Sequence, residues 1–158
     1  MSTEPSREKE KVAAEAWRLL AEFFFKTAHT RTLVLQQFGL TPNEARALGT
    51  LASSDENTMG SLAEAWACDA SNATWIVDRL ERQGLAERRN SPTDRRVKLV
   101  VLTKRGAAVS KKLHSRMMEP PAGVEKLNLR DVKALRDSLA KLTEAAGLST
   151  DPIVPLKP

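Results

Sequence analysis

The segment from Ala70 to Gly106 constrains the fold of this chain more strongly than any other part of the sequence. It reads as an amphipathic helix that ends near Arg82, a glycine stop at Gly84, and two segments of strand composition on either side of a basic loop. Glycine readily adopts the left-handed conformation that terminates many helices. This order predicts one amphipathic helix followed directly by a β-hairpin.

Positive charge is concentrated in the same part of the chain. The segment from Arg79 to Arg116 contains twelve Lys and Arg against three acidic residues, a net charge of +9, whereas the remaining residues together carry −4. Clustered cations bind duplex DNA because they release the counterions condensed on its phosphates. The distribution indicates nucleic acid as a partner, although a charge run can also be only a solvated helix face.

Composition bounds the class of protein. A length of 158 residues fits one domain. The single cysteine, Cys68, excludes an internal disulfide and suits a reducing cytosol. The polar first residues lack the pattern of a signal peptide, and no apolar run is long enough to span a bilayer. We therefore expect a cytoplasmic protein that does not act at a membrane.

Apolar periodicity and capping residues predict a mainly helical chain. Apolar residues at steps of three and four predict a first helix from Glu8 to Lys26. A second helix begins after Thr41, where Glu44 completes a capping box, and runs to about Ser53. Residues 54–57 are polar, which is typical of a turn.

Two short helices follow this turn. The third is predicted from Thr58 to Trp66, and the fourth, capped by Asp69, runs to about Arg82. The residues expected to face the core are Leu62, Ala65, Trp66, Ala73, Ile76, Val77 and Leu80. Two short helices joined by a three-residue turn have the dimensions of a helix-turn-helix, although an ordinary helical hairpin is commoner.

The hairpin after the fourth helix favours the helix-turn-helix. Leu85–Arg89 and Val97–Leu102 have strand composition, and the loop Asn90–Arg96 between them is cationic and contains proline. A β-hairpin appended to a helix-turn-helix makes a winged helix. The predicted fold class is therefore mainly α with a small β-hairpin wing (α+β), a winged helix-turn-helix with a helical dimerisation region.

The chain returns to helix after the wing. Thr103 is the predicted N-cap of a helix that extends to Met118, and a last helix starts near Asn128. Its apolar residues step by three, four and three, and they are Val132, Leu135, Leu139 and Leu142. Such a narrow seam is typical of a helix that packs on a partner helix.

Four motifs occur between Thr58 and Gly106 in a characteristic order: Thr58-Met59-Gly60-Ser61-Leu62-Ala63, Thr74 with Val77-Asp78-Arg79-Leu80-Glu81, Gly84-Leu85, and Asp94-Arg95-Arg96 followed by Leu102-Thr103 and Gly106. Through these motifs the sequence from about Leu40 to Leu142 resembles the MarR family of bacterial winged helix-turn-helix transcriptional regulators. The resemblance implies a homodimer whose first and last helices intertwine and whose two lobes contact adjacent major grooves of a pseudo-palindromic operator. Many members are released from DNA by a small, often aromatic or phenolic, molecule.

This organisation divides the chain into three regions. Residues 1–40 and 104–148 are assigned to a helical dimerisation region, and residues 41–103 to the winged helix-turn-helix DNA-binding region. Residues 149–158 form a proline-rich tail that is expected to stay extended, which is compatible with disorder.

The exposed face of the fourth helix supplies one set of candidate DNA contacts. They are Ser71, Asn72, Thr74, Trp75, Arg79 and Arg82. The first three lie where side chains can reach base edges or phosphates, and asparagine suits adenine. The two arginines are better placed for phosphates. Trp75 is expected either to touch a thymine methyl group or a sugar, or to pack on a neighbouring helix.

The wing supplies a second set. By resemblance to the family, Arg96 enters the minor groove, Asp94 fixes its guanidinium, and Arg95 lies beside it. A narrow A·T-rich minor groove concentrates negative potential, so an arginine there reads the shape of the DNA. The alternative is that Asp94 and Arg96 only close the hairpin.

Candidates for an effector site are weaker. Family pockets collect aromatic and cationic groups that suit a carboxylate or phenolate, and Trp17, His29 and Arg31 are the candidates here, although each could equally pack or face water. Cys68 is expected at a small buried position, since free cysteine behaves as a compact hydrophobe, and a redox-responsive regulator that uses it is an alternative. Two histidines do not suggest a zinc site.

An enzyme is not predicted. The chain has one cysteine, two separated histidines and no glycine-rich phosphate loop, so it assembles neither a nucleophile with its base nor a site for a cofactor. The leading hypothesis is a homodimeric, operator-specific repressor of double-stranded DNA that is released by a small-molecule effector. The alternative is an architectural DNA-binding protein without an effector, because sequence-neutral binding needs only the basic patch.

Overall fold

The computed structural model describes residues 4–94 and 96–148. Arg95 and the predicted tail at 149–158 lie outside the described residues. The helices are α1 (Glu4–Lys26), α2 (Ala28–Gln37), α3 (Pro42–Ser53), α4 (Met59–Ala65), α5 (Ala70–Arg82), α6 (Lys104–Met117) and α7 (Leu129–Ala145), and the strands are β1 (Asn57–Thr58), β2 (Ala86–Asn90) and β3 (Lys98–Leu102). A mainly helical chain with a small antiparallel sheet confirms the predicted fold class.

Two compact units make up the chain, one ending at Leu33 and the other beginning at Val34. In the described residues no helix combines the length and hydropathy that crossing a bilayer requires. In the first unit, α1 ends where the Thr27 backbone amide and hydroxyl both bond to the Phe23 carbonyl, at 3.0 and 2.8 Å. Helix α2 was not predicted from the sequence, because its apolar residues are spread around the helix and form no stripe.

The start of α3 is as predicted. The Glu44 backbone amide donates to the Thr41 hydroxyl at 3.3 Å, and the Thr41 backbone amide donates to Glu44 Oε2 at 2.7 Å, which completes the capping box. Leu48 and Leu51 of this helix are fully buried in the hydrophobic core of the second unit. The capping box therefore fixes a helix that supplies the centre of that core.

Helix α5 packs on both α3 and α4, and residues of all three helices contribute to the same core. Six of the seven predicted inward residues are buried, and the exception is Ala65, which is exposed. Ala65 was assigned wrongly because α4 has only seven residues and turns Leu62 and Trp66 to the core. The Trp66 indole also donates to the Thr50 hydroxyl of α3 at 3.1 Å, so the two helices are joined by a polar contact as well as by packing.

The turn into α5 and its end follow the predicted chemistry. Asp69 accepts from the Asn72 backbone amide at 2.8 Å as the N-cap, and Cys68 before it is half-buried against the core. At the other end Gly84 adopts φ of +68°, the left-handed conformation that lets the chain leave the helix. Helix α5 is thus bounded by a carboxylate cap and a glycine.

The sheet has three strands in the order β1-β3-β2, one more than predicted. β2 and β3 form the predicted hairpin, each starting one residue later than expected, with Arg88 opposite Val100. β1 pairs Asn57 with Val100 and Thr58 with Leu99. The assignment of Asn57 to a turn was wrong, because a two-residue strand has no periodicity of its own and is created by pairing with β3.

The wing and α6 meet at a close backbone contact. Thr103, the predicted N-cap, accepts from the Gly106 backbone amide at 2.9 Å and donates its hydroxyl to the Gly84 carbonyl at 2.7 Å. A Cβ atom on Gly106 would lie 1.8 Å from the Leu85 carbonyl oxygen. Only glycine therefore allows α6 to start directly against the residue that joins α5 to the wing.

Helix α7 begins after Asn128, close to the predicted start, and the Asn128 side chain caps the helix by accepting from the Asp131 backbone amide at 3.0 Å. The seam predicted along this helix stays largely open in the single chain. Leu135, Leu139 and Leu142 are 43%, 41% and 52% exposed. Packing of this seam on a partner helix remains a prediction.

Candidate nucleic-acid interface

Helix α5 has one buried face and one polar, exposed face. Ala73, Ile76, Val77 and Leu80 are buried, and on the opposite side Ser71, Asn72 and Thr74 are exposed as predicted. The Thr74 hydroxyl donates to the Ala70 carbonyl at 2.8 Å, and the Ser71 hydroxyl donates to Asp69. The exposed face therefore offers polar side chains in the first turns, where a helix in the major groove meets base edges.

The N-cap of α5 is a stable negative charge. The hydrogen bond from the Ser71 hydroxyl, followed by the bond from the Asn72 backbone amide, holds the pKa of Asp69 below its ordinary value. An ionised carboxylate at a helix N-terminus also interacts favourably with the helix dipole. Asp69 thus fixes the first turn of α5 in the position from which Asn72 projects.

Trp75 lies in the middle of the exposed face. Its side chain is 48% exposed, and the guanidinium carbon of Arg79, one turn later, lies 5.1 Å from the centre of its ring. This distance is within the range of a cation–π contact. A ring with this exposure is not packed against a neighbouring helix, which was one of the two alternatives for Trp75. The other alternative, a contact with a thymine methyl group or a sugar, stays a prediction.

A buried carboxylate holds Arg79. Glu44 is completely buried, and its Oε1 atom accepts from Arg79 Nε at 2.6 Å and from Gln83 Nε2 at 3.1 Å. Burial alone raises the pKa of Glu44, but the hydrogen bonds from Arg79 and Thr41 outweigh it and keep that pKa below its ordinary value. Glu44 therefore remains ionised and ties α3 to α5.

The contact between Glu44 and Arg79 was not predicted from the sequence. The sequence predicts only a capping box for Glu44 and a phosphate contact for Arg79, and no pattern along the chain links residues 35 positions apart. A glutamate that is fully buried needs a partner, but its burial could not be read from the sequence. Arg82, the other arginine expected to contact phosphate, is exposed.

Ion pairs fasten the wing to α5. Arg88 of β2 lies with Nη2 2.8 Å from Asp78 Oδ1, and its Nη1 contacts the Glu81 carboxylate. The Arg88 backbone amide also donates to Glu81 Oε1 at 2.9 Å. The strand and the helix are thus joined through the side chain and the backbone amide of one residue. Arg88 was not among the predicted site residues, because only the fold brings it to Asp78 and Glu81.

The tip of the wing is a compact turn. Val97 donates its backbone amide to the Asp94 carbonyl, and Ser91 donates its own to the Val97 carbonyl, both at 2.9 Å. Asp94 Oδ1 accepts from the Arg96 backbone amide at 2.9 Å. The expected contact between the Asp94 carboxylate and the Arg96 guanidinium is wrong for the described residues. Because Asp94 lies only two residues before Arg96, its carboxylate reaches the Arg96 backbone amide and closes the turn. Arg96 itself is exposed.

The three effector-site candidates belong to the first unit. Trp17 is 66% exposed and His29 is also exposed. The Arg31 guanidinium lies over the Phe24 ring, 3.9 Å from its centre, and Nη2 donates to the Phe24 carbonyl at 2.5 Å. Arg31 is therefore engaged by the preceding helix. That Trp17, His29 and Arg31 contribute to an effector site stays a prediction.

A cavity of about 280 Å³ lies in the second unit. Its walls are apolar side chains of α2, α3 and α6, among them Leu35, Leu113 and Met117, and its polar groups include Arg46 and His114. None of these residues was predicted as part of a pocket, because the lining consists of ordinary core side chains. Within the described residues no three of the His, Cys, Asp and Glu side chains are placed to hold a metal ion.

The order of a helix-turn-helix followed directly by a β-hairpin places this chain in the class of winged helix-turn-helix proteins. A model of the MarR family matches residues 38–97, which contain the helix-turn-helix and most of the wing. This segment therefore matches the MarR family, as the sequence resemblance predicted.

Relatives and solved structures agree with this family. The uncharacterized HTH-type transcriptional regulator YcgE of Bacillus subtilis (strain 168) is 32% identical over 102 residues, which are 64% of this chain and 64% of YcgE, so the match spans less than two thirds of that relative. RV1404 from Mycobacterium tuberculosis is 27% identical with a TM-score of 0.69, over 89% of this chain and 97% of that one. A mutant MarR from E. coli is 25% identical with a TM-score of 0.65, over 79% and 93%.

Proposed function

We propose that this protein is a sequence-specific DNA-binding transcriptional regulator that binds a pseudo-palindromic operator as a homodimer. The observation that carries the proposal is the construction of α5, which buries one face and exposes Ser71, Asn72 and Thr74 on the other. A helix of this kind places its first turns against base edges in the major groove. Helix α5 is accordingly the recognition helix.

Charge supports the same proposal. The region from Arg79 to Arg116 carries +9, and it begins in the recognition helix and includes the whole wing. Positive charge on these elements attracts the duplex before any base is contacted. Arg82 is proposed to contact a phosphate, and Arg96 at the exposed tip of the wing the minor groove. The description of YcgE as an HTH-type transcriptional regulator favours the same class.

A second copy of the chain is the proposed partner for the exposed apolar faces. In the first unit, Leu19, Phe23 and Phe24 of α1 are exposed, and in the second unit the seam of α7 is open. Exposed apolar helix faces of this kind are typical of an interface. A two-fold dimer would present two recognition helices, which is the geometry that a pseudo-palindrome requires.

A small carboxylate or phenolate is the proposed effector, and repression relieved by it is the proposed mode of control. The cavity of about 280 Å³ has apolar walls that suit an aromatic ring. Arg46 and His114 are the polar groups that would orient an anionic substituent. Trp17, His29 and Arg31 remain further candidates.

Selection of duplexes from a random pool, followed by footprinting of the winners, tests the proposed function. We expect one enriched sequence whose two half-sites lie about one helical turn apart, roughly 10 base pairs. Protection that is uniform along any duplex would instead identify the architectural alternative, since sequence-neutral binding needs only cations. Absence of binding at low ionic strength would contradict both.

A further inference from the structure

Trp75 is the one large apolar side chain on the exposed face of the recognition helix among the described residues. The two residues that follow it in sequence, Ile76 and Val77, are 1% and 0% exposed. Tryptophan gains more from burial than most side chains. A ring that stays 48% exposed on a polar face is therefore a candidate contact surface.

The position of the Trp75 ring is restrained by Arg79 and, through Arg79, by Glu44. Arg79 lies one helical turn from Trp75 and stacks on the ring at 5.1 Å, while its Nε is held by Glu44 at 2.6 Å. Glu44 is in turn fixed by its capping-box hydrogen bond to the Thr41 backbone amide at 2.7 Å. The chain of contacts from α3 thus restrains a side chain on the surface of α5.

Such restraint matters for recognition. A side chain whose rotamer is already fixed loses little conformational entropy when it binds. Tryptophan has only two side-chain torsions, which reduces this loss further. Because Glu44 holds the Arg79 guanidinium, Arg79 is also less free to reach a phosphate. Its contact with the Trp75 ring therefore explains the position of Arg79 better than the phosphate contact predicted from sequence.

The chemistry of the ring selects its target. An indole carries one N–H donor and no acceptor, so it cannot match the donor and acceptor pattern of a base pair. The one apolar group that a base presents in the major groove is the C5-methyl group of thymine. A sugar also has apolar atoms, but it lies on the backbone and carries no sequence information.

We propose that Trp75 is a specificity-determining residue that contacts the C5-methyl group of a thymine in each operator half-site, with Arg79 and Glu44 as positioning residues. This inference rests on the proposed function, because it requires α5 to lie in the major groove. It goes beyond that function by naming the base and the atom that are read.

Replacement of thymine by deoxyuridine tests the inference, because it removes the methyl group and leaves every hydrogen-bonding group in place. The full chain would be titrated at one salt concentration against the selected operator and against duplexes in which each thymine in turn is replaced. We expect one position per half-site at which affinity falls about fourfold, the value for burial of one methyl-sized group. Trp75→Ala should bind the two duplexes equally at that position.

Two further variants separate the roles. Arg82→Ala, which removes the proposed phosphate contact, should weaken binding to both duplexes and keep the fourfold difference between them. Glu44→Gln keeps a side chain that can complete a capping box but removes the charge that holds Arg79, so the difference should shrink towards onefold. Urea denaturation establishes that each variant is folded before titration.

The outcomes are distinct from those of the proposed function. If no operator is enriched, the proposed function fails. If an operator is enriched but no thymine position depends on its methyl group, or if Trp75→Ala keeps the full difference, the inference about Trp75 is overturned while the proposed function stands. If folded Glu44→Gln keeps the full difference, Glu44 has no positioning role.

Discussion

The guanidinium Nε of Arg79 lies 2.6 Å from the buried carboxylate of Glu44, and this contact joins α3 to α5. A carboxylate without solvent exposure is unfavourable unless its oxygens are hydrogen-bonded and its charge is compensated. Here Oε1 accepts from Arg79 and Gln83, and Oε2 accepts from Thr41. The same contacts that stabilise the winged helix therefore set the position of a side chain on its exposed face.

Replacement of Glu44 by Gln should lower the free energy of unfolding near neutral pH by about 2 kcal/mol, the range for hydrogen bonds to charged groups. The pKa of Glu44 lies below its ordinary value of 4.5 in the folded chain. The ionised form of Glu44 therefore stabilises the fold above pH 4.5, and this contribution is lost as the pH falls through the pKa of Glu44 in the folded chain. Urea denaturation from neutral pH down to acidic pH measures the change in the free energy of unfolding.

The difference between wild type and Glu44→Gln should accordingly narrow on acidification below pH 4.5, the ordinary pKa of Glu44. Glu64→Gln is the matched control, because Glu64 is an exposed acid on α4. It should leave the free energy of unfolding almost unchanged at every pH. A constant difference between wild type and Glu44→Gln at all pH values would show that the charge of Glu44 makes no contribution.

Gly106→Ala should destabilise the chain by about 1–3 kcal/mol, the usual cost of an overpacked site. The new Cβ atom would lie 1.8 Å from the Leu85 carbonyl oxygen, so the start of α6 must move away from the wing. Gly60→Ala is the control, since its Cβ atom would meet nothing closer than Thr58 Oγ1 at 3.9 Å. Thermal and urea unfolding should show that Gly60→Ala is neutral or slightly stabilising, and equal stability of the two variants would contradict the packing.

Arg96→Ala should weaken binding to the selected operator by about 1–3 kcal/mol at fixed salt. The exposed side chain at the tip of the wing is proposed to enter the minor groove, where its charge faces concentrated negative potential. Lys126→Ala removes one positive charge outside the winged helix and serves as the control. Fluorescence anisotropy titration measures both, and an unchanged affinity for Arg96→Ala would mean that Asp94 and Arg96 only close the hairpin.

Peroxide should leave operator affinity unchanged in the wild-type chain. Cys68 is half-buried and packs against the core beside the N-cap of α5, which suits a compact hydrophobe. The comparison of wild type with Cys68→Ser, each titrated before and after oxidation, tests the redox alternative. A loss of affinity that occurs in wild type and not in Cys68→Ser would establish it.

The local chemistry of helix ends was predictable because it depends on residues a few positions apart. The N-caps Thr41, Asp69 and Thr103 were predicted from sequence, and each accepts a backbone amide hydrogen bond in the structure. The buried face of α5 was also predicted, because a helix with a single apolar stripe must turn that stripe to the core.

Features that depend on distant residues could not be predicted in this way. The strand at Asn57 exists only because it pairs with Val100, which lies 43 positions later in the chain. Arg88 acquires its role from Asp78 and Glu81 only when β2 folds back along α5. The end of α1 at Thr27 carries neither glycine nor proline, so no residue signals it in the sequence.

In the candidate site, too, the features that depend on nearby residues were predictable and those that depend on distant residues were not. The polar residues in the first turns of α5 could be predicted from the helix and its cap. The restraint of Trp75 by Arg79 could not, because it depends on Glu44 being buried across the core. The turn at Asp94 is intermediate, since the residue was identified but its contact is with the Arg96 backbone.

The spacing of the operator half-sites tests the central claim most directly. Insertion of about five base pairs between them turns one half-site to the opposite side of the duplex while leaving every base of both in place. If a dimer holds two recognition helices at the pitch of B-form DNA, affinity at fixed salt should fall about a hundredfold or more, towards the nonspecific level. Unchanged affinity after the insertion would contradict the account.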